Sequence, residues 1–430
     1  MAQQDTPTAT SERVVILGAG HAGLQCAATL RQLGVRRPIL VIGAEDHLPY
    51  DRPPLSKAWL KGELTEERLL LRKPAFYAEK RIDVLLGTAA VAIDPDTQQL
   101  QLADGRQIAY GTLVLATGAA PRTLPQDLVS LTSPQAGARL LTLRSLADAE
   151  RLKSRLAESR SLLVIGGGYI GLEVAASARA LGLTVTVIEA TDKLMPRLGS
   201  PPVSAYFAAL HREHGVTIRL STCLDRLVVR EDRVRGELSD GTILTADHAL
   251  IGIGARARTE LAESAGIACD DGILVDAQLR TSMPHIFAIG DVVRLQTSRY
   301  GSIRLESIQN ATDSAQIAAR VIAGDEEARY DPLPWFWTEQ FGVRLQSVGL
   351  AQNADRYLLR GDPESDSFSV LHLDADDRLL ALDSVNTPRD FMQAKKLIAS
   401  GARIDPARAC DPDVTIKMAA LDVPPGNVRG

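Results

Sequence analysis

Apolar residues in this chain come in short blocks, and the blocks change period in a repeated order. The run Arg13-Val-Val-Ile-Leu17 breaks at once into Gly18-Ala-Gly20-His-Ala-Gly23, after which Leu24, Ala27 and Ala28 recur at helical spacing. That order predicts a strand, a glycine turn and a helix. A second apolar run, Ile39–Ile42, follows as the next strand. About 150 residues further on the same order returns. Ser161-Leu-Leu-Val-Ile165 leads into Gly166-Gly-Gly168-Tyr-Ile-Gly171, then Ile170, Val174, Ala178 and Leu181 form one expected helix face, and Thr184-Val-Thr-Val-Ile-Glu189 is the next strand.

Each glycine motif asks for glycine for a separate reason. The first glycine permits the tight turn, the second lets a pyrophosphate approach the backbone, and the third lets helix pack closely on strand. The helix start adds free N–H groups and the positive end of its dipole. Two copies in strand–turn–helix context predict two dinucleotide sites. The acidic residue after the second strand distinguishes them, because a carboxylate there accepts hydrogen bonds from both ribose hydroxyls. Glu189 stands 18 positions after Gly171 and is followed by Ala190, Thr191 and Asp192, with no arginine to receive a 2′-phosphate. NADH is therefore expected over NADPH. In the first copy Glu45 is either the ribose ligand or an ordinary solvated loop glutamate.

The last hundred residues have another rhythm. Short strands are expected at residues 345–350, 367–373 and 379–385, then a helix over 388–400, which reads as a small α+β domain. A chain of 430 residues exceeds what one core usually serves, so two or three domains are expected. The longest membrane-span candidate, residues 162–188, is interrupted by Glu173 and Arg179. The polar stretch from Met1 to Glu12 lacks a secretion signal and reads as a tail, so a cytoplasmic location is expected.

Lys and Arg total 48 against 53 Asp and Glu, a net charge of −5 that offers no general attraction to nucleic acid or anionic membrane. A basic docking surface must be local. Cys26, Cys223, Cys269 and Cys410 are widely separated, with no CxxC pair and no metal-ligand spacing, so buried free thiols and no metal are expected.

Taken with Leu48-Pro-Tyr-Asp-Arg-Pro-Pro-Leu-Ser-Lys57, Leu115-Ala-Thr-Gly-Ala119, Pro121-Arg122, Ile286-Phe-Ala-Ile-Gly-Asp291, Leu305-Glu-Ser-Ile-Gln-Asn-Ala311 and Pro334-Trp-Phe-Trp337, the glycine motifs give a wider pattern. From about Arg13 to Lys417 the chain resembles the FAD-dependent, NADH-using ferredoxin reductases of bacterial oxygenase and cytochrome P450 systems. Their relatives include rubredoxin reductases and apoptosis-inducing factor. One departure follows Gly254, where Arg256, Ala257 and Arg258 stand in place of the usual proline and asparagine.

The resemblance implies an α/β fold of two Rossmann-type, glutathione reductase-like domains plus a C-terminal α+β domain. It assigns residues 1–120 and 254–329 to FAD, 121–253 to NADH and 330–430 to an interface domain. FAD is expected at Gly18, Gly20, His21, Ala22, Gly23, Glu45, Arg52, Lys57, Ala116, Thr117, Gly118, Arg122, Gly290, Asp291 and Trp337. NADH is expected at Gly166, Gly168, Tyr169, Ile170, Gly171, Glu189 and Gly254. The resemblance places Lys57 and Glu173 near the flavin's reactive edge as an ion pair, with the lysine stabilising charge on the reduced ring. It places Trp337 on the side where a [2Fe–2S] ferredoxin docks, although buried aromatic packing also accounts for Trp335 and Trp337. Asp291 reads either as a flavin ligand or as a helix cap. Arg344, Lys395, Lys396 and Lys417 are the candidate docking cations. The absence of a cysteine near either glycine motif argues against disulfide reductases. A monomer or weak dimer is expected. A reductase of rubredoxin or of a small quinone-like radical, and a binding or signalling flavoprotein, are the rival readings; the net charge argues against the last.

Overall fold

The computed structural model describes residues 12–197 and 200–422. The tail expected over residues 1–12 lies, except for Glu12, outside the described residues. Two compact units are present. The first comprises the chain up to Asp51, Thr65–Ala120 and Ala255–Pro332; the second comprises Arg52–Leu64, Pro121–Gly254 and the chain from Leu333 onward.

The first unit is built on a parallel sheet of five strands, in the order Ile286–Ala288, Thr112–Leu115, Val14–Leu17, Ile39–Ile42, Ile82–Leu85. Val14 to Leu17 are buried on both faces, which is why this strand is continuously apolar rather than alternating. Helix His21–Gln32 follows it and packs with helix Ile308–Ile322. The sequence between the second and last sheet strands adds an antiparallel meander, Ala90–Asp94, Gln99–Leu102 and Gln107–Ala109.

The second unit repeats the plan. Its parallel sheet runs Leu140–Leu141, His248–Ile251, Ser161–Ile165, Thr184–Ile188, Val216–Arg219. In both units the glycine turn leaves the middle strand, beside the point where strand order reverses, which is where open α/β sheets bind ligands as a rule. Helix Tyr169–Ala180 corrects the expected apolar face. Val174 and Ala178 are fully buried, but Ile170 and Leu181, at its two ends, are 46% and 44% exposed. The exposed positions fall at the ends, and the middle is instead buried nearly all round, with Leu172, Ala175 and Ala176 covered as well.

The same unit carries a five-stranded antiparallel sheet, in the order Trp335–Gln340, Val343–Gly349, Leu379–Val385, Ser367–Leu373, Arg356–Asp362. Three of these strands match the expected ones. The two edge strands were not anticipated, because neither WFWTEQ nor RYLLRGD alternates cleanly between apolar and polar. One face of the sheet joins the core of Leu172 and Phe207 through Val343, Leu345 and Phe368. The other carries Val348, Leu371 and Leu382 beneath helix Pro388–Ser400. Arg52–Leu64 belongs here too, since Leu60 is buried in the Leu152, Leu156 and Leu172 core, a placement worth roughly 2 kcal/mol. All three tryptophans, Trp59, Trp335 and Trp337, lie in this unit.

The cysteines correct two expectations. Cys26 sits on the first glycine-motif helix, three positions past Gly23, so a cysteine does accompany that motif. It is fully buried and desolvation pushes its thiol up to about 12, which leaves it inert. Cys223 is exposed, and Cys269 and Cys410 are half-buried; all four are free. No helix of the described residues is long and apolar enough to cross a membrane.

Candidate functional site

The first glycine turn is determined by what a side chain would strike. Gly18 has φ +126°, and a Cβ there would lie 2.1 Å from the Ala116 carbonyl oxygen; a Cβ on Gly23 would lie 1.9 Å from the Gly18 oxygen. A Cβ on Gly20 would meet nothing within 4 Å. The chain therefore closes tightly on both sides of Gly20 and leaves it open. Helix His21–Gln32 starts there without a side chain capping it, so its first-turn N–H groups are available to a phosphate.

Two further candidates converge on this turn. Ala116 donates its N–H to the Leu17 oxygen, and the loop beyond it is tied down by Thr117 Oγ1 donating to the Arg258 oxygen (2.9 Å) and Arg258 N donating to the Gly118 oxygen (3.0 Å). Gly290, at φ +76°, comes so close that a Cβ would stand 3.0 Å from that of Ala22, and its N–H donates to Ser314 Oγ. Asp291 is half-buried on the 3₁₀ turn Gly290–Val292. His21 Nε2 lies 3.0 Å from Asp51 Oδ1. Glu45 accepts a hydrogen bond from the Tyr50 hydroxyl at 2.5 Å, so it is a fixed carboxylate rather than a freely solvated one.

The second turn has the same construction. Gly166 has φ +104° with a would-be Cβ 2.5 Å from the Gly252 oxygen, a Cβ on Gly171 would lie 2.4 Å from the Gly166 oxygen, and one on Gly168 would meet only that Gly252 oxygen, at 3.9 Å. Helix Tyr169–Ala180 likewise starts without a side-chain cap. Glu189 is buried. Its Oε2 accepts from Gly167 N (2.7 Å) and its Oε1 from Thr191 N and Oγ1 (both 2.9 Å). Arg219, on the neighbouring strand, is engaged with Asp240 at 2.5 Å. Ile170 is exposed where the helix begins, whereas the Tyr169 ring packs on Phe336 and its hydroxyl is buried without a hydrogen-bond partner. Burial raises that phenol well above its usual range. Gly254 has φ +97°, takes a hydrogen bond from Arg122 N, and has the Arg122 and Arg197 side chains just under 4 Å from the position of a Cβ. Arg122 thus belongs to the second unit, as do Arg52, whose guanidinium donates to the Arg144 oxygen at 2.6 Å, and Lys57.

Lys57 Nζ lies 2.6 Å from Glu173 Oε2, the ion pair expected from the sequence, with Glu173 almost wholly buried one turn inside its helix. Two hydroxyls not expected from sequence complete the arrangement. Ser56 Oγ donates to Glu173 Oε2 (2.5 Å) and Thr338 Oγ1 to Glu173 Oε1 (2.7 Å). Ser56 lies inside a motif already singled out, directly before Lys57, and Thr338 directly follows another, after Trp337. Trp337 is half-buried, 5.7 Å from Trp335, over whose ring Lys395 sits at 5.2 Å. Arg344, Lys396 and Lys417 are exposed, and Arg344 is paired across the sheet with Glu339. Among the described residues no group of His, Cys, Asp and Glu is placed to hold a metal ion.

Residues 12–315 match the pyridine nucleotide-disulphide oxidoreductase family, and residues 335–420 match the reductase C-terminal family. The chain is 41% identical to a ferredoxin–NAD(P)+ reductase of a Sphingomonas species, over 95% of this chain and 98% of that one. It is also 41% identical to rhodocoxin reductase of Rhodococcus erythropolis, over 94% of each. Among solved structures, the covalent putidaredoxin reductase–putidaredoxin complex superimposes with a TM-score of 0.89 at 40% identity, covering 95% of this chain and 98% of that chain. Two glycine turns of one construction, a C-terminal sheet and these likenesses agree: the chain belongs to the pyridine nucleotide-disulphide oxidoreductase family, among the ferredoxin reductases, oxidoreductases that use flavin and nicotinamide cofactors.

Proposed function

We propose that this chain is an NADH-dependent FAD flavoprotein that passes electrons to a [2Fe–2S] ferredoxin serving an oxygenase or a cytochrome P450. The observation that carries the reading is the pair of open glycine cradles in a chain whose cysteines are all free and unpaired. Such a chain has two dinucleotide sites and no dithiol through which to pass electrons.

The residues fit the cofactors. The Gly18–Gly20–Gly23 turn holds the FAD pyrophosphate, with the Ala116, Thr117 and Gly118 loop and Gly290–Asp291 along its polar arm. The second turn holds NADH, and the Glu189 carboxylate takes the ribose hydroxyls and repels a 2′-phosphate. When bound, FAD supplies the exchange between a two-electron hydride donor and a one-electron acceptor. Lys57 contributes a cation where negative charge accumulates, and Glu173 keeps that cation oriented, a service of position and charge rather than of covalent bonding. Trp337 serves the side of the acceptor, together with the exposed cations Arg344, Lys396 and Lys417. The likeness to a ferredoxin–NAD(P)+ reductase and to the putidaredoxin reductase–putidaredoxin complex supports a ferredoxin partner.

The test is NADH oxidation by the purified protein against a panel of ferredoxins, a rubredoxin and ferricyanide. Turnover with a [2Fe–2S] ferredoxin well above that with rubredoxin is expected. A colourless folded protein that takes up no FAD, or one active only with rubredoxin, would sink the reading.

A further inference from the structure

The Glu173 carboxylate is the end of a longer buried line of polar groups, all in the second unit. Thr338 Oγ1, besides donating to Glu173, lies 3.2 Å from Gln340 Nε2, and Gln340 Oε1 lies 2.7 Å from His211 Nε2. Thr338, Gln340 and His211 are at most 1% exposed. Their direction follows from donor and acceptor counting. A carboxylate only accepts, so the Thr338 hydroxyl spends its one proton on Glu173 and can only accept from the Gln340 amide. That turns the Gln340 oxygen towards His211, which must then carry its proton on Nε2. His211 Nδ1 is left buried with no partner, as an acceptor whose desolvation is cheaper than a donor's charge would be. Burial lowers the imidazole to about 4, in keeping with a neutral ring.

Resting on the functional reading above, we propose that Thr338 is a positioning residue for the reaction. It terminates a one-way hydrogen-bond chain from His211 through Gln340 that fixes Glu173, and through Glu173 it fixes Lys57. Ser56 secures the other carboxylate oxygen, so both ends of Glu173 are held by hydroxyls. Thr338 is the inward neighbour of Trp337 on strand Trp335–Gln340; one strand thereby presents the tryptophan on one face and grips the glutamate from the other. Nothing in the composition of the chain marks Thr338, since its partner is 165 positions away.

Two measurements decide the matter. In the holoprotein labelled with 15N-histidine, the His211 resonances, assigned by their loss in His211→Gln, are expected to report a neutral Nε2–H tautomer at pH 7. The Nδ1–H tautomer, or an averaged pair, overturns the chain of bonds. In kinetics, Thr338→Val leaves a buried carboxylate oxygen without its donor and should slow NADH-driven ferricyanide reduction about tenfold, while Thr338→Ser stays within about twofold of wild type. In a Lys57→Met background the same Thr338→Val change should cost less than about twofold more, because its effect runs through the lysine. Additive losses overturn the inference while leaving the functional reading intact. A wild-type protein that binds FAD but is not reduced by NADH overturns both.

Discussion

The two glycine turns of this molecule are nearly the same object, and their differences lie in what stands around them. Gly20 has no atom within 4 Å of a would-be Cβ, and Gly168 has only one carbonyl oxygen at 3.9 Å. The carboxylates differ more. Glu45 in the first unit is held by the hydroxyl of Tyr50, five positions along the chain, whereas Glu189 in the second is bound by the turn's own Gly167 amide. The residue between the first two glycines explains why. In the first turn it is Ala19, with a side chain; in the second it is Gly167, where a Cβ would come within 3.2 Å of the Glu189 side chain. This additional glycine lets the carboxylate fold down onto the second turn. On the proposed reading the cradle is generic, and the choice of nucleotide falls to the acid beside it and to the space that acid is given.

The largest effect that tests this comparison comes from filling each cradle in turn. Gly20→Val adds a side chain into open space, so the protein should fold, yet it blocks the pyrophosphate and should emerge colourless. Gly168→Val should stay yellow and be bleached by dithionite but not by NADH. If the two variants lose the same cofactor, the assignment of the turns fails.

Acid should separate the units next. His211 and His248, both in the second unit, are lowered to about 4, in each case mainly by burial. A base whose folded value is depressed stays neutral in the folded state while the unfolded chain takes up a proton. Stability is therefore full above about 6.5, falls as pH drops from there towards 4, and levels off below. For the fully buried His211 the loss is about 3 kcal/mol. Hydrogen exchange across pH 7 to 4.5 should show protection lost first in the second unit; equal loss in both would refute the account.

Glu189→Ala comes third. We expect at least about tenfold preference for NADH over NADPH in kcat/KM in the wild type, narrowing in the variant. Replacing Glu45 in the same way should leave that ratio unchanged. The smallest effect belongs to the surface. Arg344→Glu with Lys417→Glu should raise the apparent KM for an acidic ferredoxin about fivefold at low salt and flatten its salt dependence, with ferricyanide reduction unaffected. Unchanged ferredoxin kinetics would leave Trp337 and its surroundings as the docking site. Because Glu339 already faces Arg344, Lys417 should account for more of the effect.

How much of this was legible in the chain depends on the distance over which each feature is determined. The strand–turn–helix units could be read because glycine spacing and apolar period are local, and the strands at 161–165 and 39–42 stand where the apolar runs placed them. The Lys57–Glu173 pair was legible only through resemblance, since its partners are far apart in sequence. Ser56 and Thr338 were missed although they adjoin motifs in plain view, because a hydroxyl gains its importance from a partner that only folding supplies. The two edge strands of the C-terminal sheet escaped for a different reason: WFWTEQ and RYLLRGD do not alternate cleanly, so they lack the period that marks a half-buried strand. The exposure of Ile170 was equally out of reach, as a helical stripe does not say which end of the helix is left uncovered.

The confinement of Trp59, Trp335 and Trp337 to the second unit makes this protein its own two-channel spectroscopic instrument. Indole emission would come only from that unit, while visible absorption would come from a cofactor held by the other. A single melt followed at both wavelengths would then show whether the halves come apart together or in sequence, with no label added and no residue changed.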